Sequence, residues 1–166
     1  AASFAVRHMM VSTVRGHFGK ITGRAVFDFD HLEQAKVVAE VDVASIDTRN
    51  PKRDEHLKSP DFFDAANHPI MRFESSRVQK AGPDKLLLHG NLTIRGNTRP
   101  VTFEVEGLAP PIRDQRGNLR TGATATTKIN RKDFGLTWNR ALETGGVVVG
   151  DEVTIVVDVE LISVGK

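Results

Sequence analysis

A chain of 166 residues suits one domain with a well-buried core. Its 23 Lys and Arg are scattered among 21 Asp and Glu for a formal charge of +2, which leaves out the clustered basic stripe of a nucleic-acid binder. No apolar run is long enough to cross a bilayer as a helix, and with no cysteine there is no disulfide or thiol chemistry.

The chain opens AASFAVRHMM, with neither an initiator Met nor a basic-then-apolar leader. Such an opening fits the cytoplasm, and it fits the periplasm if a leader has been removed. In AVFDFD the residues Ala25, Phe27 and Phe29 fall on one side of a strand, and Asp28 and Asp30 on the other. The stretch RDEHLKSPDFFDAANHP, Arg53 to Pro69, breaks this habit. Asn50 before Pro51 is a helix start, because the side chain can take an orphan amide and proline has none to lose. Ser59 and Pro60 repeat the pair, Asp61 suits the helix dipole, and His68-Pro69 stops the segment. One helix, or two abutting turns, is expected between a strand ending near Ile46 and another starting near Ile70.

Alternation then returns. LLLHGNLTI aligns Leu86, Leu88, Leu92 and Ile94 with Gly90 between them, and PVTFEV aligns Val101, Phe103 and Val105. GATATTKI presents Ala123, Ala125, Thr127 and Ile129 on one face. From Val153 to Leu161 all five odd positions are apolar, against one of the four even ones. Turn residues in FDHLEQ, KAGPDK, IRGNTRP and RDQRGN separate these runs. The reading is all-β, about eight strands in meander order within a single domain over residues 1–166. Strands dry on one face only close into an extended, eight-stranded antiparallel up-and-down barrel, since closure removes exposed edges. A two-sheet sandwich competes, and periodicity alone does not separate the two.

A barrel of this size is either filled by side chains or holds one small ligand. The small groups on the Ala123 face, with Ser75 and Gly90, fit taper packing as well as a cavity, but long strands with few bulky groups to fill them tilt toward a hollow tube lined by Phe4, Val6, Phe18, Phe27, Phe73 and Phe103. Phe62 and Phe63 would then cover one opening as the helical insert crosses it; plugging the end of a filled core is the plainer alternative.

Catalytic patterns are absent. The six His lie far apart without an HExxH spacing, no G-x-S-x-G elbow exists, and Asp54 with His56, or Asp133, has no orienting third group. No metal, cofactor or catalytic residue is expected.

Five blocks in order, FAVRHMMVSTVRGHF, RDEHLKSPDFFDAANHPIMRFES, GNLTIRGNTRPVTFEV, INRKDFGLTWN and GDEVTIVVDVEL, resemble the YceI-like family along nearly the whole chain. The resemblance implies a lipocalin-like barrel whose apolar interior binds a polyisoprenoid or a related long-chain amphiphile without catalysis. Carried onto this sequence, the ligand-binding candidates are Phe4, Val6, His8, Phe18, Phe27, Phe62, Phe63, Phe73, Leu92, Ile94, Phe103, Ile129, Val153, Ile155 and Val157. Arg15, Arg53, His56 and Arg131 are candidates for a polar head at the rim beside the helical cap, where Arg offers forked donors. For Arg53 and His56 the competing role is to pin the helix. The partners expected are an isoprenoid or acyl lipid for storage or transport, no nucleic acid, no integral membrane segment, and a homodimer as an open alternative. The rival functions are an enzyme using His8 or His56 on an isoprenoid or quinone lipid, and a filled-barrel interaction module.

Overall fold

The structure, a computed structural model, describes residues 2–8, 12–139 and 149–162, with the side chain of His8 outside the description. In chain order the elements are β1 (Ala2–His8), β2 (Ser12–Phe18), β3 (Ile21–Val26), β4 (Lys36–Asp42), β5 (Ile46–Asp47), α1 (Pro51–Lys58), β6 (Ile70–Gly82), β7 (Lys85–Ile94), β8 (Asn97–Glu106), β9 (Ile112–Arg113), β10 (Leu119–Asn130) and β11 (Val149–Ile162). One sheet holds all eleven strands in the order β3-β4-β6-β7-β8-β10-β11-β1-β2-β5, with β9 paired to β10. Every pairing is antiparallel.

Direction shows how the sheet curls into a barrel. An even number of antiparallel steps leads round from β2 to β3, so these two strands run the same way. They are the halves of one bent strand, the first half pairing with β1 and the second with β4. Counted so, the ring is β2/β3, β4, β6, β7, β8, β10, β11 and β1, the eight positions that the alternation predicts. The bend is pinned to the corner between β4 and β5. Gly19 N donates to Ser45 O at 3.1 Å, Asp42 N to Lys20 O at 3.0 Å, and Lys20 N to Ser45 Oγ at 3.0 Å.

The insert forms where expected. Asn50 Oδ1 accepts from Arg53 N at 3.1 Å, and Pro51 occupies the first turn. The second cap does not start a second helix: Ser59 Oγ accepts from Asp61 N at 3.3 Å, but residues 60–67 stay in turns. None of the residues of α1 is fully buried, so local bonds carry much of its order. Asn50→Ala should therefore cost about 1 kcal/mol, read as a lower urea midpoint at unchanged slope.

One buried cluster collects at the helical end: Phe18, Val43, Ile46, Phe62, Met71, Phe73, Leu92, Ile94, Val101, Phe103, Phe134 and Leu136. The β7–β8 hairpin reaches it through a two-residue turn, Arg95-Gly96, with φ of 49° and 72°. Left-handed geometry at both positions matches the strand twist. Arg95 Nη1 donates to Gly135 O at 3.1 Å and Asn97 Nδ2 to Phe134 O at 2.9 Å, tying the hairpin to the turn after β10.

Candidate functional site

The inward faces are those that alternation marks, yet they are not equally covered. Along β7, Ile94, Leu92 and Gly90 are buried, whereas Leu88 and Leu86 are half-buried. On β8, Val101 and Phe103 are buried and Val105 is not. Both gradients run from the helical end, which is filled, toward the opposite end, which is open. On β1, β10 and β11 the inward residues Phe4, Ala125, Ile129, Val153, Ile155 and Val157 also keep exposed surface, because what they face is empty space.

That space is a cavity of about 490 Å³, within the range of small-molecule sites. Phe4, Val6, Phe18, Phe27, Phe62, Phe63, Phe73, Leu92, Ile94, Phe103, Ile129, Val153, Ile155 and Val157 all line it. It runs from Leu57, Phe62 and Phe63 beneath the helix to Phe27, Leu32 and Leu108 in the connections at the far end. Two glycines make room for rings against the wall. A Cβ on Gly90 would lie 2.5 Å from the Phe73 ring and from Glu74 O, and one on Gly16 would lie 2.6 Å from the Phe4 ring. Phe73 meets Phe103 edge to face at 5.2 Å.

The Phe-Phe pair seals the filled end. Phe62 is buried and meets His56 edge to face at 5.1 Å and Trp138 at a tilt at 5.3 Å, while Phe63 meets Phe18 edge to face at 5.9 Å. The segment is held to the barrel through Thr48, which is 4% exposed. Asp54 Oδ1 accepts from Thr48 N at 2.9 Å and from Thr48 Oγ1 at 2.6 Å. Arg53 donates from Nε to Thr48 Oγ1 and from Nη2 to Thr48 O, both at 2.8 Å.

At this rim three of the cationic candidates have partners within the protein. Arg53 is occupied by Thr48, and His56 Nε2 lies 2.9 Å from Asp61 Oδ2. Arg131 is 3% exposed and serves backbone carbonyls: Nε donates to Gly150 O at 2.8 Å, Nη1 to Trp138 O at 2.9 Å and also to Leu136 O, and Nη2 to Val149 O at 3.3 Å. Burial lowers its pKa from the ordinary arginine value, with Asp151 at 3.8 Å acting the other way. Arg15 pairs with Ala5 on the outer face, since Phe4 and Val6 point inward. Thus Arg53, His56 and Arg131 bond within the protein, Arg131 also bordering the cavity, and Arg15 lies exposed on the outer face.

The wall includes further residues on β4. Val37, Ala39 and Val41 of β4 line the cavity and alternate plainly in KVVAEVD. Trp138, which packs on Phe62 and His56 and does not line the cavity, follows a short turn without periodicity. Among the described residues no group of three or more His, Asp or Glu could hold a metal ion.

Comparison with known proteins agrees with this architecture. The YceI-like domain model matches residues 1–161. A UPF0312 protein of Staphylococcus aureus is 37% identical over 150 residues, covering 90% of this chain and 85% of that protein. Among solved structures, Burkholderia cenocepacia BcnA superposes with a TM-score of 0.82 at 26% identity, covering 98% of this chain and 95% of its own. A polyisoprenoid-binding domain from Saccharophagus degradans shares the fold at a TM-score of 0.68 and 14% identity, over 96% and 91% of the two chains. From the match along nearly its whole length and the barrel it builds, this chain belongs to the YceI-like family.

Proposed function

We propose that the protein binds a long-chain isoprenoid or acyl amphiphile in the barrel, for storage or transport and without catalysis. The observation that carries this reading is the apolar cavity of about 490 Å³, sealed at the helical end. Each methylene buried there contributes roughly 0.8 kcal/mol gross, so a chain of some length exceeds the about 4–15 kcal/mol of rigid-body freedom lost on binding. The Saccharophagus degradans domain, described as binding polyisoprenoid, is a protein of the same fold, and its ligand class suits a wall of Phe, Leu, Ile and Val. The apolar candidates are carried forward as the tail-binding surface; the cationic ones are not.

Delipidated protein should take up a fluorescent long-chain probe saturably, with one site per chain. Absence of uptake, when fatty-acid-binding controls succeed, would overturn the proposal. For the enzyme alternative, His56 is held by Asp61 and does not line the cavity, while the side chain of His8 lies outside the described residues. In the same assay His56→Gln should leave uptake intact.

A further inference from the structure

We infer that the barrel wall between β3 and β11 is a docking slot for one extended segment of another polypeptide, which completes the sheet there as a strand paired on both sides. The inference concerns the wall and stands apart from the lipid reading.

β1 occupies its place in the ring over only part of the height. It pairs with β11 across 149–157 and with β2 across 12–18. Both neighbours carry on beyond that level, β11 through residues 159–162 and the bent strand through the six residues of β3. Each is bonded on its far flank, β3 to β4 and β11 to β10. Among the described residues neither 159–162 nor β3 has a strand on the facing flank. Because β3 and β11 both run against β1, one strand in the direction of β1 pairs antiparallel with both. The six residues of β3 offer it a length of about 20 Å.

The cavity reaches the outside through this gap. Along β7 it meets alternate residues, Leu86, Leu88, Leu92 and Ile94, as behind a closed sheet. Along β3 it meets Thr22, Gly23, Arg24 and Ala25 in succession, and along β11 Val159, Glu160 and Leu161. A strand turns both of its faces to one space where its edge is bare. The outward residues that end the two edges, Val26 and Ile162, are 67% and 45% exposed. Each lacks a cross-strand neighbour on the bare side.

Bare edges present rows of amides and carbonyls that an added strand satisfies. Its side chains follow from what surrounds them. Inward ones meet Gly23, Ala25, Val159 and Leu161 and must be apolar. On the outer face Glu160 is bonded to Arg120, whereas exposed Arg24 has no ion pair among the described residues. The segment that fits is therefore extended, apolar at every second position and acidic at an outward one.

The probe is a dye-labelled, acetylated peptide, Thr-Val-Asp-Val-Thr-Val, titrated by fluorescence polarisation. Saturable binding is expected, and a single N-methyl group at any central position should weaken it about tenfold or more, since a strand bonded on both sides uses every amide. Tolerance of N-methylation at alternate positions means that one edge alone is used and overturns the slot; no binding overturns it too. Amide exchange should slow in residues 21–26 and 159–162 together when peptide is added. Slowing elsewhere, or protection of both edges before peptide is added, overturns the docking. Arg24→Glu should weaken the peptide about two- to fivefold, with Lys in place of its Asp restoring binding; unchanged affinity overturns the acidic partner. A dimer in sedimentation that the peptide dissociates assigns the slot to a second copy and overturns the separate partner.

Discussion

Ala39→Phe combined with Ala125→Phe should lower the affinity for a long-chain probe at least a hundredfold, equivalent to about 2.8 kcal/mol, while the protein remains folded. Ala39 lies on β4 and Ala125 on β10, which stand opposite each other in the eight-position ring, and both line the cavity. Two rings entering from opposite walls would meet across the tube and occupy the berth of the chain. In a filled core the same change would overpack, costing about 1–3 kcal/mol. Here the rings enter empty space, so stability should hold or rise by about 0.5–2 kcal/mol. Probe titration and thermal melts of the same preparation decide the matter. Retained affinity would place the ligand elsewhere, and collapse of the fold would mean the tube is less hollow than described.

Arg131→Ala should be the most destabilising single change, costing about 3–5 kcal/mol, by analogy with breaking a buried charged pair. The substitution removes donors from the carbonyls of Gly150, Leu136, Trp138 and Val149, leaving buried acceptors without partners. It also frees the turn that carries Phe134, which is 1% exposed, from the start of β11. For a chain of this size the melting temperature should fall by about 10 °C or more. Arg131→Lys should recover only a small part, because one ammonium cannot reproduce the arginine fork. Were Arg131 a head-group anchor, the change would spare stability and weaken anionic ligands selectively. A melting temperature near the parent's would favour that reading.

The faces of the strands were legible because a half-buried sheet writes its period into the residues, as in Val153 to Leu161. The helix start was legible because Asn50-Pro51 meets a local chemical need. The β2–β3 bend was not, since Gly19-Lys20 resembles any short turn and its partners Asp42 and Ser45 lie more than twenty residues away. Cavity residues followed wherever alternation held, and Ala39 could have been read the same way. The side of the strand that Arg15 takes was legible: Val14, Gly16 and Phe18 share one face, which puts Arg15 on the other. A pinning role for Arg53 was legible from its place in the insert, but its partner Thr48 and the carbonyls that Arg131 serves were not, because only folding brings them within reach.

The most direct measurement is native mass spectrometry of protein prepared without detergent, followed by the same spectrum after solvent extraction. The account expects a bound mass matching one long-chain lipid per polypeptide, lost on extraction and restored by adding hexadecanol or geranylgeraniol. A bare polypeptide mass throughout, with no adduct on addition, would contradict it.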